Sequence, residues 1–214
     1  AAAPVAPNVP TRAGYTLGSS WYTEATCTTQ WNFTTPITGD KQLYAKWAPN
    51  SGTSYRVEHY KEDLTENQYT SPPQIENLTG TTGAPISVTL KSYEGFQVDR
   101  QDPPSATIAA DGSTVVKVYY KRKSINVTFN PNGGDISGSP ANVTRSGRFG
   151  TALMTPANPV KTGYTFSGWS PLLSTSPVFP ASDTTYTAQW TANTYTVRFN
   201  GNGHTGGTAM GDRT

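Results

Sequence analysis

The 214-residue chain contains a single cysteine, two histidines and only 14% charged residues. One cysteine excludes an intrachain disulfide framework, and one cysteine with two distant histidines does not fit the ligand spacing of a zinc site. No apolar run approaches the ~18 residues that cross a bilayer, so the sequence predicts no membrane insertion within this segment. The net charge is +2 and the longest basic run is residues 121–123, which argues against nucleic acid as a partner.

Glycine and proline are abundant, with 20 and 17 copies respectively. Both residues interrupt helices, whereas the many Thr and Tyr residues suit the half-exposed surface of a pleated sheet. The sequence therefore predicts a β-rich protein, α+β at most. A charged fraction well below the ~25% of an average soluble domain is typical here of an extracellular β protein.

Two segments of the sequence recur along the chain. Residues 9–17, VPTRAGYTL, return as PVKTGYTF at residues 159–166, and each copy is followed by a Trp and later by a short strand ending in a second Trp. The segment INVTFNPNG at residues 125–133 returns as YTVRFNGNG at residues 195–203. Such recurrence is typical of a tandem array of small modules.

The repeats divide the chain into four parts. Residues 1–49 carry the C-terminal part of a repeat unit, 50–122 a separate module, 123–192 one complete unit, and 193–214 the N-terminal part of a further unit. This pattern predicts a fragment of a longer array, cut in mid-unit at both ends.

The separate module has its own strand and turn signals. Alternating apolar residues predict strands at 55–60, 86–90 and 114–120, whereas the Gly- and Thr-rich residues 78–83 predict a loop. Asp111 and Gly112 predict a turn.

Large aromatic side chains occupy matched positions of the repeats. Modules of about 70 residues must build their cores from few side chains, and burying a large apolar one contributes ~1.5–3 kcal/mol. These aromatics are therefore the expected core anchors, and the alternative is that some of them form an exposed ligand platform. The set is Tyr15, Trp21, Trp47, Phe129, Tyr164, Trp169, Trp190 and Phe199.

The repeat motif resembles a known family. TGYTFSGW at residues 162–169, AQW at 188–190 and VTFNPNGG at 127–134 resemble the Listeria–Bacteroides repeat, the internalin-type B-repeat of bacterial surface proteins. The N-terminal copy departs from this pattern by one inserted residue before Trp21. Residues 50–122 are similar to mucin-binding-protein-like modules through VEHY at 57–60, LTGTTG at 78–83 and VYY at 118–120.

These resemblances imply small β-grasp-like (ubiquitin-like) modules in an elongated array. They imply a non-catalytic spacer or adhesive segment of a secreted or cell-wall-attached bacterial surface protein, with host or environmental glycans or proteins as partners. The alternative is a carbohydrate (mucin glycan)-binding assembly. The resemblance does not imply catalysis and supplies no specific ligand residues. We expect a protein that is not an enzyme, with no cofactor and no metal.

The residues themselves offer little catalytic or metal-binding chemistry. Cys27 has no histidine near it in sequence, so neither His59 nor His204 is indicated as the base that a nucleophile needs. Residues 130–135 have the alternating oxygens of a calcium loop, but the Asn-Gly pair favours a type I′ turn. Lys117 is the lysine most favourably placed to point inward and form an isopeptide bond.

The two partial units complement each other. Residues 195–200 match the first strand of the complete unit, which residues 1–49 lack. We expect strand exchange in which residues 195–200 of one copy complete the N-terminal half-unit of another copy by β-strand addition, the alternative being the half-unit of the same chain.

Overall fold

The computed structural model describes residues 9–208 and 210–213, which form strands, turns and loops with no helix. The sheets are built from ten strands: β1 (Tyr15–Tyr22), β2 (Tyr44–Pro49), β3 (Thr53–Lys61), β4 (Gln74–Gly80), β5 (Phe96–Asp102), β6 (Val115–Arg122), β7 (Ser124–Asn130), β8 (Val143–Arg148), β9 (Tyr164–Ser170) and β10 (Thr184–Ala192).

Across the described ranges, no helix has the length and apolar character needed to span a bilayer.

Three sheets contain these strands. β1 and β2 form a two-stranded antiparallel sheet, and the other strands form two four-stranded sheets with the orders β4-β3-β6-β5 and β8-β7-β10-β9. In each larger sheet the first and last strands of the module lie side by side in parallel, as β3 with β6 and β7 with β10. This order, second-first-fourth-third with a parallel central pair, is that of a β-grasp sheet. The β-rich, β-grasp-like fold class predicted from the sequence is confirmed.

Each four-stranded sheet buries one face. In the first, Val57, Val116, Val118 and Tyr120 form a core against which Ile86 and neighbouring side chains pack. The second has a core of eight buried residues: Ile125, Val127, Phe129, Ile136, Leu153, Trp169, Phe179 and Ala188. Ile86 and Leu153 lie in the crossovers that follow β4 and β8, so an irregular segment of the chain packs against each core.

Two local predictions for the separate module need correction. The loop predicted at residues 78–83 is confirmed only for residues 81–83, because Gln74–Gly80 is strand β4, paired with β3 through Tyr55 and Leu78. Residues 86–90 do not form a strand, and Ile86 instead reaches the core from the crossover. The cause is burial: β4 is a polar edge strand without an apolar face, whereas the apolar crossover residues pack over the sheet.

The turn predictions are confirmed. Asn132 and Gly133 both have positive φ, at 50° and 79°, as a type I′ turn requires. Asn202 and Gly203 repeat this geometry at 45° and 84°. Gly112 has φ 76° in the turn closed by its N–H to the carbonyl of Ala109.

The chain separates into two compact units, residues 1–121 and 122–214. The first unit holds the sheets β1-β2 and β4-β3-β6-β5, and the second holds β8-β7-β10-β9. The finer division into four parts stays a prediction from the repeat pattern.

Candidate functional site

Both copies of the repeat contain the same turn. The N–H of Tyr15 donates to the carbonyl of Arg12 and that of Tyr164 to the carbonyl of Lys161, both at 3.1 Å. The glycine before each tyrosine has positive φ, 72° at Gly14 and 80° at position 163. A cation lies over each tyrosine ring, with the Arg12 guanidinium at 4.0 Å and Lys161 Nζ at 4.6 Å from the ring centroids. The motif Gly-Tyr-Thr thus specifies a turn that leads into β1 and β9.

An asparagine closes each repeat onto that turn. Three residues after Trp47, the N–H of Asn50 donates to the carbonyl of Gly14 at 2.9 Å, and Asn50 Oδ1 accepts from the Thr16 hydroxyl at 2.7 Å. We call this arrangement the asparagine clamp. It ties the end of a repeat to its own Gly-Tyr-Thr turn and fixes the direction in which the chain leaves.

The complete repeat contains the same clamp. The N–H of Asn193 donates to the carbonyl of Gly163 at 2.9 Å, and its Oδ1 accepts from the Thr165 hydroxyl at 2.7 Å. Both distances equal those at Asn50. Sequence analysis missed this pair, although the signal was present: in both copies an Asn follows the closing Trp by three residues.

At Asn50 the clamp also joins the first sheet to the next module. The carbonyl of Asn50 accepts from the N–H of Thr82 at 2.9 Å, and the hydroxyls of Thr53 and Thr82 lie 2.7 Å apart in a buried position. A Cβ added to Gly14 would lie 2.7 Å from the backbone of Ala110, so the two modules are in close contact there. With only residues 50–52 between β2 and β3, this junction is short and hydrogen-bonded on both sides.

The two repeats also share their strand register. Leu17 lies opposite Trp47 as Phe166 lies opposite Trp190, and Trp21 lies opposite Ala45. The register shift between Leu17 and Trp21 absorbs the residue inserted in the N-terminal copy. Trp169 likewise lies opposite Ala188.

The eight aromatic residues singled out from the sequence differ in burial. Phe129 and Trp169 are buried in the second unit, with Trp190 packed against their core. Tyr15, Trp21 and Trp47 are half-buried. For the two remaining members, the expectation of a core position is corrected: Tyr164 is 42% and Phe199 45% exposed.

The strand to which each aromatic residue belongs, and the neighbours of that strand in the sheet, explain these differences in burial. Phe129, on central strand β7, packs edge-to-face with Trp169 at a centroid distance of 5.1 Å. Phe199 holds the matching sequence position, but residues 193–208 form none of the ten strands, so no sheet buries its ring. Tyr164 begins an edge strand, where Lys161 covers its ring instead of the core.

Two further hydrogen bonds tie the Asn-Gly turn to β10. Trp190 Nε1 donates to the carbonyl of Pro131 at 3.1 Å, and Asn132 Nδ2 donates to the carbonyl of Ala188 at 3.0 Å. Trp190 is therefore half-buried as a bridge between the turn and the sheet.

An aromatic cluster lies on the solvent side of the four-stranded sheet of the first unit. The rings of Tyr60 and Tyr119 stack at 5.3 Å, and Tyr69 meets Tyr119 edge-on at 4.9 Å. The guanidinium of Arg100 lies 3.9 Å from the centroid of Tyr119. The Tyr60 hydroxyl donates to Glu58 at 2.8 Å, a bond that raises the pKa of Tyr60. A ligand stacking on the covered face of Tyr119 would have to displace Arg100.

A buried polar network lies on the other face. His59 Nδ1 lies 3.0 Å from the Tyr120 hydroxyl, and His59 Nε2 lies 3.2 Å from Glu76 Oε2. The N–H of Lys91 donates to the Tyr120 oxygen at 2.9 Å. Hydrogen bonds from Lys91 and His59 lower the pKa of Glu76, and burial raises that of Tyr120. The network connects β3, β4, β6 and the crossover, so it acts as a cross-link of this core.

The other candidates for chemistry lie apart from one another. Cys27 is half-buried with Sγ directed to the carbonyl of Ala45 at 3.8 Å, and His204 is exposed. Lys117 does not point inward, because its neighbours Val116 and Val118 are fully buried and side chains alternate along β6. Across residues 9–208 and 210–213, no three His, Cys, Asp or Glu residues lie close enough to hold a metal ion.

Comparison with known proteins identifies the repeats. The family model of the Listeria-Bacteroides repeat domain matches residues 2–46 and 126–192. Two proteins of Evansella cellulosilytica are similar, one named as a predicted membrane protein and the other as a predicted Gly-rich membrane protein. They are 28% and 27% identical over 95% and 92% of this chain. The chain spans 30% and 23% of their lengths.

Among solved structures, domains 3–4 of the Streptococcal High Identity Repeats in Tandem from a cell surface protein are 17% identical. The match covers 64% of this chain and 96% of that one, with a TM-score of 0.23.

The two ranges matched by the family model together cover more than half of the 214 residues, and they contain both copies of the Gly-Tyr-Thr turn. The chain belongs to the Listeria–Bacteroides repeat family.

Proposed function

We propose that the chain is a non-catalytic spacer segment of a bacterial cell-envelope protein, in which successive β modules carry load and project other parts of that protein. The observation that carries this proposal is the asparagine clamp at Asn50, because it holds a repeat closed and joins it to the next module at the same residue. Membership of a repeat family and the membrane-protein names of the two Evansella relatives support a location at the cell envelope.

The geometry suits load transfer. A pull along the chain at residues 49–53 acts on a three-residue connection whose first residue, Asn50, is braced by hydrogen bonds to Gly14, Thr16 and Thr82. Two modules joined in this way resist separation, unlike domains on a flexible Gly/Ser-rich linker. In the module that follows, the first strand, β3, and the last strand, β6, are hydrogen-bonded side by side as the parallel central pair of the sheet.

Adhesion through this segment is the finer part of the proposal. The similarity of residues 50–122 to mucin-binding-protein-like modules favours a surface adhesin with a cell-wall location and host or environmental glycans or proteins as partners. Arg100 over Tyr119 argues against a preformed sugar platform, because sugars bind to open aromatic faces. The spacer role therefore ranks above the carbohydrate-binding alternative.

Single-molecule pulling of the chain from its two ends tests the spacer proposal. We expect the β1-β2 sheet and the module that follows it to unfold in one step, and Asn50→Ala to split that step into two. Asn193→Ala, which removes the matching clamp of the other repeat, is the control and should leave the first-unit step intact. Separate unfolding of the β1-β2 sheet at low force in the unmodified chain would contradict a load-bearing junction.

A glycan array and a mucin pull-down on the same chain test the adhesive part. Specific retention that is lost in Tyr60→Ala and unaffected in Tyr164→Ala would place binding at the aromatic cluster around Tyr119. If no glycan or mucin is retained, the adhesive part of the proposal is wrong and only the spacer role stands.

A further inference from the structure

The two four-stranded sheets are each held together along one central ladder. Their orders, β4-β3-β6-β5 and β8-β7-β10-β9, place the first and last strands in the middle, where they pair in parallel. Among the described strands, this ladder is the one set of pairs that joins the first two strands of a sheet to its last two. We call the β3 and β6 ladder the first seam and the β7 and β10 ladder the second seam.

A pull along the chain loads each seam in shear. The chain enters the sheet through the first strand of the seam and leaves through the last. Because these strands are parallel, the entry and the exit lie at opposite ends of the seam, and tension slides one strand along the other. All hydrogen bonds of the ladder then carry the load together, so the resistance to opening increases with the number of paired residues.

The two seams differ in length. Six residue pairs form the first seam, over residues 56–61 and 115–120. Four residue pairs form the second seam, over residues 127–130 and 184–187. The first seam therefore has more backbone pairs to break than the second.

Side-chain contacts cross both seams and do not remove this difference. The rings of Tyr60 and Tyr119 stack at 5.3 Å across the first seam, and those of Phe129 and Tyr186 stack at 5.5 Å across the second. Side-chain hydrogen bonds also link the two strands of each seam or the turns that adjoin them. The length of the backbone ladder is thus the feature that distinguishes the seams.

The cores of the two sheets differ in the opposite sense. Eight buried apolar residues form the core beside the second seam, whereas four form the core beside the first. The first sheet also buries charged or titratable side chains, namely Glu58, His59 and Glu62. Because apolar burial is the dominant favourable contribution to folding, the second sheet is expected to be the more stable one in the absence of load.

We infer that the second unit is an extension element: under tension its seam opens before the first seam, although its sheet is the more stable one at rest. The inference rests on the proposed spacer role and adds to it an order of opening. Shear between Ser124 and Ala192 frees 69 residues, or about 24 nm of extended chain. This added length relaxes the tension on the first seam, so one unit yields and the other is spared.

Single-molecule pulling of the full chain with a removable staple tests the order of opening. In a Cys27→Ser background, Thr128→Cys and Thr185→Cys place two cysteines opposite each other across the second seam. Neighbouring strands lie about 4.8 Å apart, within the range that a disulfide spans. We expect the opening event at the lowest force among the two four-stranded sheets to vanish when this disulfide is closed. It should return in the same variant after reduction.

The matched control staples the first seam. Arg56→Cys and Val115→Cys also lie opposite each other in a parallel ladder. This staple should remove the event at higher force and leave the one at lower force unchanged. The inference is overturned if the stapled second seam still shows the lower-force event, if the control staple removes that event, or if both seams open at the same force.

Hydrogen exchange without load tests the other half of the inference. We expect the amides of β7 and β10 to exchange more slowly than those of β3 and β6, and the reverse order would overturn the proposed inversion. Failure of the spacer proposal gives a different result. In that case Asn50→Ala would leave the opening of the first unit unchanged, whichever seam carries the staple.

Discussion

The Thr16 hydroxyl donates a 2.7 Å hydrogen bond to Asn50 Oδ1, 34 residues away along the chain. Thr165 and Asn193 make the same bond at the same length in the other repeat. Since the two copies differ at many surrounding positions, the repeated bond indicates a geometric requirement of the repeat: the asparagine that follows its closing Trp must be held against its Gly-Tyr-Thr turn. At Asn50, this requirement also positions the next module.

We expect Asn50→Ala to lower the free energy of unfolding of residues 1–121 by about 1 kcal/mol, the usual contribution of one hydrogen bond. Hydrogen exchange measured separately in the two units quantifies the effect. The second unit contains the other, unchanged clamp and serves as the internal reference. Asn50→Asp retains an acceptor for Thr16 and should recover most of the loss. An equal loss for the Asp and Ala variants would show that the bond to Thr16 is not the cause.

Phe129→Ala should destabilise the second unit by about 3–5 kcal/mol, because it opens a cavity beside Trp169 in a fully buried position. Phe199→Ala, at the matching position of the partial repeat, should change the stability of the dilute chain by less than about 0.5 kcal/mol. Urea unfolding of both variants measures the difference. Similar losses would contradict the assignment of only one of these rings to a core.

Gly14→Ala should destabilise its unit more than Gly163→Ala destabilises the other. Both glycines have positive φ, so each substitution pays the left-handed penalty of about 1–2 kcal/mol. Only at Gly14 does the new Cβ also meet backbone, at 2.7 Å from Ala110, whereas nothing lies within 4 Å at Gly163. Thermal melts of the two variants test the close approach of the modules, which equal shifts would argue against.

Acid should weaken the first unit through Asp63. Hydrogen bonds from the Thr70 and Ser71 side chains, with further help from the Thr70 N–H, lower the pKa of Asp63 to about 2. A carboxyl whose folded pKa lies below its unfolded value of 3.8 stabilises the fold fully above that value, and the stabilisation is lost as the pH falls toward 2.

Urea unfolding of the unmodified chain and of Asp63→Asn across this pH range measures that contribution. The variant has no charge to lose at this position, so its stability should fall less steeply on acidification. Identical slopes would assign the acid sensitivity to other carboxyls.

The repeat and its turns could be predicted from the sequence because both depend on local residue patterns. Asn132-Gly133 and Asn202-Gly203 require positive φ at two successive positions, which few residue pairs tolerate, so the turn is encoded where it occurs. The alternation of Val116, Val118 and Tyr120 likewise identified a strand with one buried face. Strand β4 was missed because a polar edge strand carries no such alternation, and only its pairing with β3 makes it a strand.

The sequence by itself determined that small β modules recur along this chain, with Trp and Gly-Tyr-Thr at fixed places. Only the tertiary structure decided which aromatic rings are buried, because burial depends on a neighbouring strand that a ring's own sequence does not supply. Phe129 and Phe199 share one motif, yet one is fully buried between strands and the other is 45% exposed without a sheet around it. The asparagine clamp has the same origin, since residues 34 and 28 positions apart meet only when the sheet has formed.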